Sequence, residues 1–92
     1  MNFTVDSALE RSKEVIFSEV EGELVMMSLE NGKYYGIDAI GGSIWKMLET
    51  PLKVSEIYDR LMKEYQVDAP TCKQDVNLFL EQLIEQNLVS VK

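Results

Sequence analysis

The chain has 92 residues, enough for one small domain with a single core, and we treat residues 1–92 as that domain. Its composition, 46% hydrophobic and 27% charged, is that of a folded protein rather than a disordered one. The net charge of −7 repels phosphate backbones and anionic lipids, so neither nucleic acid nor a membrane is an expected partner. A lone cysteine, no signal-like N-terminus and no apolar run near the ~20 residues of a membrane helix predict a soluble cytoplasmic protein.

The first part of the chain carries strand patterns. Phe3 and Val5 alternate with polar residues and favour a short first strand. Stronger runs follow at residues 14–20 and 23–29, separated by a Glu-Gly turn, and an Asn-Gly pair then favours a hairpin. The next strand is Tyr34–Ile37. These last three runs, joined by tight turns, predict an antiparallel meander.

Three helices are predicted after the meander. Asp38 is placed to cap the first, which Pro51 prevents from continuing, and Ser55 is a candidate cap for the second. The third helix has two candidate starts, with either Asp68 or Thr71 as its N-cap. After it, Leu88 to Val91 alternate like a short terminal strand.

The sequence offers little catalytic chemistry. It contains no histidine, the commonest general base and metal ligand. Cys72 has no second cysteine to activate it and is interpreted as a buried structural thiol. The pair Gly41-Gly42 is interpreted as residues that allow the first helix to pack closely against the sheet, rather than as part of a phosphate-binding loop. We therefore expect no catalytic residue, no metal site and no cofactor, and no enzyme activity.

The third helix has two faces with different predicted roles. Its apolar stripe, predicted to be core, consists of Cys72, Val76, Phe79, Leu80 and Leu83. A neighbouring face consists of Asp75, Leu78, Gln82 and Gln86. This second face is either an ordinary solvated surface or one wall of a peptide groove, in which Asp75 would accept a hydrogen bond from a partner. The opposite wall would be the edge of Tyr34–Ile37, whose unpaired backbone groups can accept an added strand or a second copy of the chain.

An ordered set of residues runs through most of the chain. It consists of Tyr34-Tyr35-Gly36-Ile37-Asp38-x-x-Gly41-x-x-Ile44-Trp45-x-x-Leu48, Val54-x-x-Ile57-x-x-x-Leu61, Asp75-Val76-x-x-Phe79-Leu80-x-x-Leu83 and Asn87-Leu88-Val89. With this set, residues 10–91 closely resemble the PqqD-like family. Its members are the leader-recognition domains of pathways that make ribosomally synthesised and post-translationally modified peptides. The family more often has Asn at the position of Asp38, and both residues can cap a helix.

The resemblance implies a winged-helix-like α+β fold, with a three-stranded antiparallel sheet, three helices and room for a short C-terminal strand. It implies that the leader of a precursor peptide binds as an added strand between the third strand of the meander, Tyr34–Ile37, and the third helix. Carried over residue by residue, it assigns peptide binding to Tyr34, Tyr35, Gly36, Ile37, Asp75, Leu78, Phe79 and Gln82.

The resemblance also suggests a pathway. A chain without a fused enzyme resembles the recognition proteins of lasso-peptide pathways, which hand the precursor to a separate leader peptidase. The pyrroloquinoline-quinone pathway, in which the family member works with another modifying enzyme, is the alternative.

Two other classes of protein compete with peptide recognition. A winged-helix DNA-binding regulator has a similar order of elements, but the third helix here carries Lys73 as its only basic residue against Asp75, Glu81 and Glu85. That is the wrong sign for a helix in the major groove. A structural subunit of an enzyme complex is the other class, which would bind a folded partner but not a short peptide.

Overall fold

The computed structural model describes residues 3–92, so the first two residues of the predicted domain lie outside it. In chain order the elements are β1 (Ala8–Arg11), β2 (Val15–Val20), β3 (Glu23–Ser28), β4 (Tyr34–Ile37), α1 (Ala39–Met47), β5 (Leu52–Lys53), α2 (Val54–Glu64), α3 (Ala69–Glu85) and β6 (Val89–Val91). The strands form two antiparallel sheets, ordered β2-β3-β4 and β5-β1-β6. The predicted α+β fold, with its meander and three helices, is confirmed.

The second sheet is the main difference from the sequence-based expectation. The first strand is Ala8–Arg11, so the expectation of a strand at Phe3 and Val5 is wrong; Phe3 is instead buried in the core and Val5 is exposed. The terminal strand β6 forms as predicted, but it pairs with β1. β5 has only two residues, too few for an alternating pattern, and β1 pairs with strands far along the chain, which a local pattern cannot indicate.

The meander follows from alternation and turn chemistry. Leu24, Met26 and Ser28 of β3 are buried, while the residues between them are more exposed. Both tight turns contain a glycine with positive φ, Gly22 at 83° and Gly32 at 72°, a conformation that other residues adopt only with strain. One face of this sheet therefore packs against the helices.

Side-chain caps decide where α1 and α3 begin. The carboxylate of Asp38 accepts a hydrogen bond from the Gly41 N–H at 2.8 Å, as predicted. For α3, the Asp68 carboxylate accepts from the Thr71 N–H at 3.1 Å and from its hydroxyl at 2.9 Å, which selects Asp68 over Thr71 as the N-cap. These two hydrogen bonds stabilise the ionised form and lower the pKa of Asp68.

The start of α2 differs from the prediction. The helix begins at Val54, with Lys53 at the N-cap, so the assignment of Ser55 as cap is wrong. The Glu56 carboxylate reaches back to accept from the Lys53 N–H at 3.1 Å, and the helix is capped by that bond. Lys53 also belongs to β5, so the pairing of β5 with β1 sets this helix start.

The core lies where the helices meet the inner face of the β2-β3-β4 sheet. Trp45 is buried at its centre, and the Phe17 ring meets it edge-on with 5.7 Å between centroids. The Arg11 guanidinium lies 4.8 Å from the Trp45 ring and 4.9 Å from the Phe17 ring, and its Nε donates to the Trp45 carbonyl at 3.0 Å. Within residues 3–92, no helix is long and apolar enough to cross a membrane.

Candidate functional site

An open groove of about 440 Å³ lies between β4 and α3. Its lining consists of Lys33, Tyr35, Ile37, Phe79, Gln82, Leu83, Gln86 and Leu88. The strand contributes every second residue and the helix contributes residues three or four apart, so each element presents one face to the groove. Of the eight residues assigned to peptide binding, Tyr35, Ile37, Phe79 and Gln82 line it.

The hydrogen bonds of β3 show which backbone groups of β4 are already used. The Ser28 N–H donates to the Lys33 carbonyl at 3.0 Å, and on the other side of β3 the Leu29 N–H donates to the Glu14 carbonyl at 2.7 Å. Only alternate residues of an antiparallel pair exchange such bonds. With Met26 opposite Tyr35, the residues of this stretch that bond to β3 are therefore Lys33, Tyr35 and Ile37.

Tyr34 and Gly36 consequently direct their N–H and C=O groups away from β3. Within residues 3–92, no strand pairs with that outer edge of β4. The Tyr34 side chain is 73% exposed on the outer face of the sheet, and Gly36 has no side chain. These two residues thus contribute backbone groups at the edge, whereas Tyr35 and Ile37 contribute side chains to the groove.

The absence of a side chain at Gly41 allows Phe79 of α3 to lie close to Ile37 of β4. A Cβ at this position would lie 2.5 Å from Ile37 Cγ2 and 2.9 Å from Phe79 Cζ. Only a glycine lets these two side chains approach at one end of the groove. Gly41 is buried, which confirms the predicted close packing; at Gly42 a Cβ would make only an ordinary contact with Leu24, at 3.7 Å.

A chain of polar groups crosses the other end of the groove. The Asn31 side-chain Nδ2 donates to the Tyr35 hydroxyl at 3.2 Å, and that hydroxyl donates to Gln86 Oε1 at 3.0 Å. Tyr35 is thereby fixed against α3. Because Ile37 meets Phe79 while Tyr35 meets Gln86, β4 and α3 run in opposite directions along the groove.

Asp75 and Leu78 lie outside the groove lining, on turns of α3 nearer its N-terminus. Asp75 borders a small crevice with Ile40 and Val67, and Leu78 is 55% exposed. Leu78 precedes Gln82 by four residues, so both project from the same side of the helix. A peptide would meet these residues only if it extended past the Ile37 end of β4.

Cys72 is 4% exposed. Burial, followed by the negative charges of Asp75 and Asp68, raises the pKa of its thiol. Because the thiolate is the reactive form, these surroundings make a poor nucleophile. Among residues 3–92, no three Cys, Asp or Glu side chains come together to hold a metal ion.

The sequence placed Gln86 on the candidate groove face of α3, but Lys33, Leu83 and Leu88 were not assigned to the groove. The period of two that places Tyr35 and Ile37 on one face also includes Lys33 and could have identified it. The helical spacing of four from Gln82 to Gln86 is the signal that placed Gln86 there.

The outer face of the β2-β3-β4 sheet is a separate apolar surface. Ile16 and Val20 of β2 are 53% and 55% exposed. They surround a cleft of about 230 Å³ that is also lined by Val25, Met27 and Tyr34. This face lies on the side of the sheet opposite the groove.

The groove can be compared with known proteins. Residues 23–89 match the family described as Coenzyme PQQ synthesis protein D (PqqD). Among solved structures, the chain is similar to TbiB1 in complex with the TbiA(beta) leader peptide, with 36% identity, a TM-score of 0.81, and coverage of 88% of this chain and 94% of that one. It shares the fold of a lasso peptide synthetase B1 complexed with the leader peptide, with 15% identity, a TM-score of 0.73, and coverage of 89% and 96%. No curated protein matches the chain.

Proposed function

The chain belongs to the family of Coenzyme PQQ synthesis protein D, as its ordered motifs predicted, and we propose that it binds the leader segment of a ribosomal precursor peptide. The leader adds as a strand to the free edge of β4 and lies against α3. The domain itself performs no chemistry on the peptide; it holds the leader for a separate enzyme.

One observation carries this proposal: the strand edge of β4, with unpaired backbone groups, borders an open groove of about 440 Å³ whose other wall is α3. Two residues, Tyr34 and Gly36, each offer one N–H and one C=O to an added strand. Strand addition uses such bonds for affinity and pockets for alternate side chains for specificity. The solved structure of TbiB1, a relative of this chain, also contains a leader peptide.

The remaining candidate residues fall into two groups. Tyr35, Ile37, Phe79 and Gln82 would contact peptide side chains that point into the groove. Asp75 and Leu78 would contact the leader only where it continues beyond Ile37.

We further propose that the partner enzyme is the leader peptidase of a lasso-peptide pathway. This choice over the pyrroloquinoline-quinone pathway is supported by the likeness to a lasso peptide synthetase B1 complexed with the leader peptide. The exposed apolar face with Ile16, Val20 and Tyr34 supports the presence of a partner, because exposed apolar patches commonly mark protein interfaces. A peptide in the groove would leave this face uncovered.

The edge is tested by two substitutions at Gly36, with a fluorescein-labelled leader of the precursor encoded beside this gene as the probe. Gly36→Pro removes an N–H that points away from β3, so the sheet should survive. Losing one hydrogen bond and leaving its acceptor unpaired should weaken binding by about 1–3 kcal/mol, or roughly 5- to 150-fold in Kd. Gly36→Ala is the matched control, because its Cβ would meet nothing within 4 Å.

Fluorescence anisotropy measures the affinities, and circular dichroism checks that both variants fold. Equal affinity of the two variants for the leader would show that the peptide does not pair with this edge. Tyr35→Pro is a poorer test, since the Tyr35 N–H points toward β3 and its loss would disturb the sheet itself.

A further inference from the structure

The end of the groove beside Lys33 has a different chemical character from the end beside Ile37. At the Ile37 end, the strand and the helix present apolar side chains, with Phe79 facing Ile37. At the other end lie Lys33 and Gln86. The groove is therefore polarised along its length, apolar at one end and cationic at the other.

Lys33 is the only charged residue that lines this groove, in a chain whose net charge is −7. Within residues 3–92, the single ion pair joins Lys46 to Glu19, so no carboxylate lies within ion-pair distance of the Lys33 ammonium. A cation that is kept free beside a binding groove favours an anionic group on the ligand.

Gln86 adds a second donor at the same end. Its Oε1 accepts the hydrogen bond from the Tyr35 hydroxyl, which is itself oriented by Asn31. The Nε2 group of Gln86 is thus left to donate elsewhere. An ammonium and an amide N–H₂ together match the two oxygens of a carboxylate.

We propose that this end of the groove binds an acidic side chain of the leader. The inference rests on the proposed peptide-binding function, and it adds where in the groove an acidic residue of the leader binds. Side chains of an added strand that lie opposite Lys33, Tyr35 and Ile37 all point into the groove, because residues directly opposite each other share a face. They are two residues apart along the peptide.

The direction of the peptide fixes the order of these side chains. Every strand pair of this sheet is antiparallel. In antiparallel addition, the N–H and C=O groups of Tyr34 bond to one residue of the peptide, and those of Gly36 bond to another. Read from the N-terminus, the leader then meets Ile37 first and Lys33 last. The peptide pattern is apolar-x-apolar-x-acidic.

Charge reversal tests this assignment. The probes are the fluorescein-labelled leader of the neighbouring precursor and versions in which each Asp or Glu in turn is replaced by Lys. Lys33→Glu should weaken binding of the unmodified leader about three- to tenfold, since an attraction becomes a repulsion at a solvent-exposed site. Gln86→Glu keeps an acceptor for Tyr35 but removes the amide donor, and should weaken binding in the same direction. Lys63→Glu, an equal charge change on an exposed residue of α2 outside the groove, should change Kd by less than about twofold.

One Lys-substituted leader should bind Lys33→Glu better than the unmodified leader does, and its altered residue should follow apolar residues two and four positions earlier. Equal effects of Lys33→Glu and Lys63→Glu, or the absence of any rescuing leader, would overturn the acidic subsite. A rescuing residue outside that pattern would overturn the antiparallel register. Absence of leader binding by the unmodified protein would instead refute the proposed function itself.

Discussion

Replacing Gly41 by alanine should destabilise the fold and distort the groove, because the new methyl group would lie 2.5 Å from Ile37 Cγ2 and 2.9 Å from Phe79 Cζ. Ile37 is β-branched and cannot swing aside freely. Overpacking of this kind costs about 1–3 kcal/mol. The gain in helix propensity from glycine to alanine offsets about 0.5–1 kcal/mol of that cost.

Gly42→Ala provides the matched control one residue along the same helix. Its Cβ would meet only Leu24 at 3.7 Å, an ordinary contact, so this variant should gain about 0.5–1 kcal/mol from propensity. The two variants should therefore differ by about 1–3 kcal/mol. For a domain of this size, that difference corresponds to roughly 5–20 °C in Tm.

Thermal unfolding followed by circular dichroism measures the difference in Tm between the two variants. Fluorescence anisotropy of the labelled leader measures their peptide affinities. Gly41→Ala should bind the leader more weakly than Gly42→Ala at a temperature where both are folded, since Ile37 and Phe79 form one end of the groove. If Gly41→Ala proved as stable as Gly42→Ala, the close approach of β4 to α3 at this point would be wrong.

Three further outcomes are expected. Asp75→Asn and Leu78→Ala should weaken leader binding while leaving Tm nearly unchanged, since both side chains are exposed; unchanged affinity would mean that the peptide ends before reaching them. The Cys72 thiol should react with iodoacetamide far more slowly in the native protein than in urea, and because its pKa is raised in the fold, the stability that it contributes should decline as the pH rises above about 8.5. Rapid native alkylation would contradict its burial. Arg11→Met should lower the free energy of unfolding by about 2 kcal/mol in urea titrations, through loss of the charged hydrogen bond to Trp45 and the aromatic contacts; a loss below ~0.5 kcal/mol would show that the stacking contributes little.

Local sequence chemistry accounts for most elements of the fold. The alternating runs and glycine turns predicted β2, β3 and β4, and Asp38 predicted the start of α1. At α3 the sequence left two candidate caps, and the hydrogen bonds from Thr71 to Asp68 selected one. The incorrect assignment of Ser55 arose because the cap of α2 belongs to a strand, and strand pairing is not encoded within a short window.

The groove was predicted in part, for reasons that can be traced to particular residues. The strand wall follows from a period of two, which a four-residue run such as Tyr34–Ile37 already displays. The helix wall depends on how far α3 is rotated about its axis. Helical spacing identifies neighbouring faces of α3 but cannot tell that Phe79 faces Ile37 while Leu78 faces solvent.

By itself, the sequence determined the meander, the helices and the family, since these follow from periodicity, turn residues and an ordered motif set. Only the tertiary structure decided that β6 pairs with β1, which keeps the edge of β4 open, and that Lys33 and Gln86 come together at one end of the groove. Both depend on contacts between residues about 50 to 80 positions apart. Such contacts are selected by the packing of the whole core, because strands and faces this short have no strong preference of their own.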